Sequence, residues 1–324
     1  DLKSSPYRWK LKSSDTRSLY RQYNRMEGVS VTYAAHENIH RWLSPDSPQY
    51  NIHLANAIFH YSPRIQKEDR FEICIATEEM REAAWQYGHS SQILLDGTFG
   101  ICVKKMLLFI VMGLNKERKG IPLAFFLFSA PTGNNQMSGG YDTEIIEKML
   151  REWKNSLGTR NGQAFEPKVA ITDTDLKEWN ALVRIFPGIS LLICKFHLRQ
   201  SWRNHRKAAV KGSSPAHADI RARLSRLEEA LIHMVIVDDV RAIIAKERTS
   251  LQGLLDTTHG GPAEKGLEHL RYLEDYWLRE ELWQSWSDFG RQHASELLGI
   301  PVEGVLTTTN HLESFNGVFK NKYL

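Results

Sequence analysis

Cysteine is scarce. Only Cys74, Cys102 and Cys194 occur in a chain of 324 residues, widely spaced and without a paired pattern. That argues against a disulfide framework and fits a reducing compartment. Long apolar runs are also missing. The longest, MLLFIVMGL and IPLAFFLF, fall far short of the roughly 18 residues of a membrane span, so no membrane role is expected. Neither charge sign dominates: 42 Lys and Arg face 38 Asp and Glu, for a formal net charge of +4. This balance is compatible with nucleic acid without being diagnostic of it. There is no internal repeat and no low-complexity tract. What remains is an ordinary globular composition, 42% hydrophobic, enough for one large domain or two smaller ones.

The first 27 residues carry seven basic side chains (Lys3, Arg8, Lys10, Lys12, Arg17, Arg21, Arg25) against three acids, with Tyr7, Trp9, Tyr20 and Tyr23 between them. Basic and aromatic residues together suit a nucleic-acid contact; a solvated amphipathic helix accounts for them more simply. TEEMREAAWQYG (77–88) reads as a helix capped by Thr77 and stopped by Gly88. Three strands then form a meander: QILLDGTFG (92–100), KKMLLFIVMGLN (104–115) and GIPLAFFLFSA (120–130). A helix follows over 139–158, with apolar residues at Ile145, Ile146, Met149, Leu150 and Trp153. PKVAITD (167–173) is a fourth strand, LKEWNALVRIF (176–186) a helix stopped by Pro187, and ISLLICKFH (189–197) a fifth strand. The order β-β-β-α-β-α-β predicts a mixed five-stranded α/β sheet covered by helices, and it resembles the ribonuclease H-like core. Residues 201–305 read as an all-helical insertion. TTTNHLESFNGVFKNKYL (307–324) starts one more helix, inside which the chain ends, as expected of a piece of a longer protein. The expected organisation is an N-terminal, mainly helical region (1–90), a core (91–200), the insertion (201–305) and a final helix of the core (306–324).

In a sheet of this order the first and fourth strands are neighbours, so Asp96 and Asp173 are expected side by side. Two adjacent carboxylates repel unless a positive charge lies between them. A hard divalent cation such as Mg²⁺ does this well. A third acid from a helix packed on the sheet would complete a site for two ions about 3.5–4 Å apart. Glu313 is the candidate, with Asn316 one turn further along.

The stretches LLDGTFG, VAITDTDLKEWNALVRIFPGISLLICKFHLRQSW and TNHLESFNGVFK resemble the catalytic core of Mutator-like element (MULE) transposases, members of the DDE superfamily with the ribonuclease H-like fold. The resemblance covers roughly residues 90 to 324. It implies Asp96, Asp173 and Glu313 as a catalytic, metal-binding triad holding two Mg²⁺ or Mn²⁺ ions. It also implies Cys194 and His197 as a C-x-x-H pair near the site. The implied activity is phosphodiester hydrolysis at transposon ends followed by strand transfer. The implied partner is double-stranded DNA, both terminal repeats and target, with a homo-oligomer as the acting form and the nucleus as location in a eukaryote. Two rivals remain at this stage: a non-catalytic DNA-binding regulator descended from a transposase, and a ribonuclease H-like nuclease.

Each candidate has a plainer reading. Asp96 before Gly97 fits a turn. Asp173 fits a helix N-cap, but Asp175, directly before LKEWNAL, fits that role better. Asn310 three residues before Glu313 is a capping-box pattern, and Glu264, Glu268 and Asp275 compete as the third acid. For Cys194 and His197 a zinc site lacks a second pair, His205 and His217 being unpatterned, so a buried cysteine beside a hydrogen-bonding histidine is preferred. Arg199, Arg203, Arg206 and Lys207 share one helical face and are candidate DNA contacts; a solvated surface explains them as well. Tyr272, Tyr276, Trp277, Trp283 and Trp286 read as helix-bundle core rather than a base-stacking surface.

Overall fold

The structure, a computed structural model, describes residues 13–26, 28–30, 32–66, 69–98, 106–130 and 141–322. Cys102 and the basic residues Lys3, Arg8, Lys10 and Lys12 lie outside the described residues. Helices α1 (Ser13–Met26), α2 (Ala35–Leu43) and α3 (Ile52–Ala57) precede strands β1 (Ile58–Ser62) and β2 (Glu72–Ile75). Helix α4 (Glu78–Ala83), capped by the Thr77 side chain and extended by a π turn to Gly88, leads into the meander. Its strands are β3 (Gln92–Thr98), β4 (Met106–Leu114) and β5 (Gly120–Ser129). Then come α5 (Thr143–Leu157), a small hairpin of β6 (Thr159–Arg160) and β7 (Gln163–Ala164), β8 (Val169–Thr172), α6 (Leu176–Ile185) and β9 (Ser190–Ile193). The rest is helical: α7 (Lys195–Ala209), α8 (Pro215–Ile232), α9 (Val237–Gln252), α10 (Gly260–Tyr272), α11 (Glu280–Trp286), α12 (Asp288–Leu298) and α13 (Asn310–Lys322).

The main sheet is mixed and seven-stranded, in the order β1-β2-β5-β4-β3-β8-β9. Pairings are antiparallel except β3 with β8 and β8 with β9, which are parallel. Two strands more than expected therefore join the sheet, and both come from the region read as mainly helical. Neither announces itself: β1 is half-buried along its whole length and β2 has four residues, so neither shows a clean alternation.

The core strands are near-continuous apolar runs because both faces of the sheet are covered. Their residues sort by parity. Ile93, Leu95, Leu107, Phe109, Val111 and Ala170 pack with Ile145, Met149, Trp153, Ala181 and Leu182, the inner stripes of α5 and α6. Leu94, Leu108, Ile110, Met112, Val169, Ile171, Leu192 and Cys194 pack on the opposite face with Ala294, Leu306 and Leu312, from α12, α13 and the segment between them. A third cluster fills the insertion around Trp202, Trp277, Trp283 and Trp286 and takes in Ile193. The indoles of Trp277 and Trp286 both meet Trp202 edge-on. The tryptophans of the series are thus core, and Tyr272 and Tyr276 pack against them.

The fifth strand is shorter than the apolar run implied. It stops at Ile193, and α7 starts at Lys195. The Lys195 N–H leaves the ladder and donates to the Thr307 carbonyl at 2.9 Å, which turns His197 into a first-turn helical residue.

Candidate active site

The register fixes the two aspartates. Leu94 pairs with Ile171 in the parallel β3–β8 ladder. Extended by two residues, the same offset sets Asp96 against Asp173, with strands about 4.8 Å apart. Thr172 pairs with Ile193, so the next step sets Asp173 beside Cys194. Parity then assigns a face. Asp96 follows Leu94, Asp173 follows Ile171 and Cys194 follows Leu192, all on the side covered by α13.

Asp96 is no turn residue. It lies within β3, paired with Ile110, and is only 9% exposed. Gly97, paired with Phe109, serves packing rather than a turn: a Cβ there would sit 2.6 Å from Phe109 Cζ. Asp173 follows β8, and its carboxylate accepts the Asp175 N–H at 2.5 Å. Asp175 caps α6, accepting from the Lys177 N–H at 2.9 Å, and is also bound by the Tyr141 hydroxyl at 2.6 Å. Of the two neighbouring acids, Asp175 is thus the cap of α6, as its place directly before LKEWNAL indicates.

Glu313 enters from the first turn of α13. Its Oε1 is 3.6 Å from His197 Nε2 and has no hydrogen-bond partner although buried. Asn310 already lies inside α13, so the capping-box geometry does not form, and the Glu313 N–H is taken by the Thr309 carbonyl. Asn316, one turn on, is 9% exposed with its Oδ1 also unpartnered. The competing acids lie elsewhere: Glu264 and Asp275 are exposed, and Glu268 pairs with Lys265.

The segment that returns Glu313 to the sheet is tied down by polar contacts. Gln92 bonds both the Gly304 carbonyl and the Leu306 N–H at 3.0 Å. Buried Arg291 donates to the carbonyls of Leu306, Thr307 and Ile193. Cys194 Sγ accepts from the Thr309 N–H at 3.4 Å and its hydroxyl at 3.5 Å. Cys194 is therefore a buried acceptor that joins the end of β9 to the start of α13.

The electrostatics follow from burial first and from the neighbouring charges second. Burial raises the Asp96 pKa to about 7, with Asp173 and Glu313 adding to it against His197 and the Gly97 N–H. Burial likewise raises Asp173, opposed by the Asp175 N–H and His197. His197 is held up at about 9, first by the Cys194 sulfur and also by Asp96 and Asp173, against its own burial. Burial pushes the Cys194 thiol up, but the donors of His197 and Thr309 outweigh it and leave it below its ordinary value. His197 is thus an imidazolium among carboxylates at neutral pH, and its Nδ1 has no hydrogen-bond partner of good geometry.

One acid escaped the sequence reading. Glu178, in the first turn of α6, is 1% exposed with Oε2 unpartnered. Burial, then Asp173 and Asp96, raises its pKa well above the usual carboxylate range. Its spacing three residues after Asp175 is that of a cap, and this masked it.

Of the four basic candidates on α7, two are turned to internal partners. Arg199 makes a bidentate pair with Glu229, at 2.9 and 2.6 Å. Arg206 is buried against Glu228, which also bonds His269 at 2.8 Å; His269 in turn meets His205 at 2.8 Å. Arg206 is therefore removed from a phosphate. Arg203 and Lys207 stay exposed.

Among the described residues, no three His, Cys, Asp or Glu side chains already form a ligand set for one ion. The donors nonetheless suit a hard divalent cation: three carboxylates on one face, two of them raised chiefly by burial, and unpartnered buried oxygens on Glu313 and Asn316. Among the described residues no helix is long and apolar enough to cross a membrane. No curated protein matches the chain. Residues 92–201, which hold Asp96, Asp173, Cys194 and His197, match the family model of the MULE transposase domain.

Proposed function

We propose that this chain, with a MULE transposase domain at residues 92–201, is the catalytic core of a DDE-type DNA transposase on a ribonuclease H-like sheet. It hydrolyses a phosphodiester at the end of a DNA element and then directs the freed 3′-hydroxyl into target DNA. The observation that carries this reading is the parallel register that sets Asp96 against Asp173 on the sheet face from which Glu313 approaches. Asp96, Asp173 and Glu313 would hold Mg²⁺ or Mn²⁺, which when bound supplies charge neutralisation for the attacking and leaving oxygens. The protein's own work is positional. β3 carries Asp96, the residue after β8 is Asp173, held by the Asp175 N–H, α13 supplies the glutamate, and the His197 imidazolium offsets carboxylate charge beside Glu313. The presence of all three acids favours an enzyme over a non-catalytic DNA-binding descendant. The helical insertion ahead of Glu313 favours a transposase over a stand-alone nuclease.

The test is Mn²⁺- or Mg²⁺-dependent nicking of plasmid DNA, together with joining of a 3′-hydroxyl oligonucleotide to a target duplex. Asp96→Asn, Asp173→Asn and Glu313→Gln should each reduce both reactions by at least about 100-fold, the usual scale for removing an electrostatic catalytic element. Metal-dependent nicking that survives all three substitutions would refute the assignment.

A further inference from the structure

Away from the acids, a cleft of about 290 Å³ borders α7, but Glu228 and Glu229 line it beside the arginines, which disfavours an anion there. A different cleft, of about 250 Å³, lies between α1 and α2 and is lined by Arg21, Arg25, Arg41, Ser30, Thr32, Gly28, Val29 and Gln49. Among the described residues no carboxylate lines it. The cleft is built by the chain turn. Gly28 takes φ +74, a left-handed conformation that reverses the chain after α1. Buried Asn38 then clamps Ser30, accepting its N–H at 2.8 Å and donating to its carbonyl at 2.9 Å. The Ser30 and Thr32 hydroxyls face each other at 2.8 Å. The Arg41 guanidinium is oriented by the Tyr33 ring, 4.0 Å from its centroid.

We propose that this cleft binds the phosphate backbone of DNA, independently of base sequence. Three guanidiniums, and the one hydroxyl of the Ser30–Thr32 pair whose proton is not taken by the other, are donors for phosphate oxygens, with no carboxylate among the described lining residues. The row continues along α1: Arg17, Arg21 and Arg25 recur every four residues, which keeps them on one side and spaces them by about 6 Å. A linear row of cations suits a polyanion with many regularly repeated charges better than a single small anion. The inference rests on the DNA reading above and assigns a contact to the region before the matched domain.

The test is fluorescence anisotropy of the whole chain with a duplex of arbitrary sequence across a fourfold range of NaCl. Each phosphate contact contributes about 0.9 to the slope of log affinity against log salt. The triple variant Arg21→Gln, Arg25→Gln, Arg41→Gln should lower the slope by about 2.7, equal to a roughly 40-fold smaller loss of affinity over that range. Lysine at the same three positions should restore it, and the melting temperature of each variant shows that the fold is kept. A wild-type slope in a folded triple variant overturns the cleft while leaving the catalytic reading intact. Wild-type protein that binds no duplex overturns both. Calorimetry with inorganic phosphate is the second arm: saturable phosphate binding with an unchanged duplex slope makes the cleft a small-anion site and overturns the assignment.

Discussion

Crowded carboxylates should make the metal-free protein less stable as pH rises, and Asp96 is the residue that reports it. An unfolded aspartate loses its proton near 3.8, whereas burial and Asp173 hold Asp96 protonated up to about 7 in the fold. Between those values the native state binds a proton that the unfolded chain has released, so stability falls with increasing pH. At about 1.4 kcal/mol per unit, the window amounts to on the order of 4 kcal/mol, shared with the acids that titrate with it. Below the window the contribution is constant; above about pH 7 the whole penalty is present. Asp96→Asn removes the titrating charge and keeps the shape. Urea denaturation in a chelator should therefore give a higher midpoint for the variant than for wild type at about pH 8, and closer midpoints at about pH 4. Mg²⁺ should raise the wild-type midpoint at the higher pH and leave the variant far less affected. A wild-type midpoint that does not fall between about pH 4 and pH 7, or a variant that follows wild type, would refute the argument that burial and the neighbouring carboxylates outweigh the His197 imidazolium at Asp96.

Three further outcomes follow from burial. Glu178→Gln keeps the shape and removes a carboxyl whose charged form burial already disfavours, so it should be tolerated, whereas Glu178→Ala should cost about 2–4 kcal/mol by leaving a cavity; denaturant titration separates the two. Gly97→Ala should destabilise by about 1–3 kcal/mol, because its Cβ meets Phe109 Cζ at 2.6 Å in a stacked ring pair with Phe128; a shift in melting temperature reads this. Arg206→Gln should lower stability by about 3–5 kcal/mol, the scale of breaking a buried pair, with no change in the salt slope of DNA binding, because the guanidinium is spent on Glu228 inside the insertion.

Much of the core was legible because its signals are local. β4 and β5 follow from apolar runs and α5 from its stripe, with Asp142 as cap. Asp96 and Asp173 stood out because carboxylates interrupt apolar strands. What stayed hidden depends on partners remote in sequence. β1 and β2 are strands only because β5 offers its edge. The strand through Cys194 was read too long, since Lys195 is pulled off the ladder by Thr307, more than a hundred residues away. Arg199 and Arg206 read as a free basic face because Glu228 and Glu229 lie on another helix. Glu178 was hidden by a capping spacing that the fold fills with Asp175 alone.

The hardest feature to build is the return of Glu313 after a long helical detour. Closing so long a connection carries an entropic penalty that grows only slowly with length, so the decisive requirement is precision at the return point. The chain meets it with contacts that begin at the strands carrying the acids themselves. Gln92, in the same strand as Asp96, holds Gly304 and Leu306. Cys194, in register beside Asp173, holds Thr309. Arg291 joins Ile193 to Leu306 and Thr307. Beyond these ties α13 is seated by Leu312, fully buried, and by Phe315 and Phe319 stacked on Phe125. The insertion can therefore vary in its outer helices without moving the glutamate, as long as these clamps persist. This makes Cys194 and His197 parts of one joint: the sulfur anchors the helix that brings Glu313, and the imidazole one turn away meets its carboxylate.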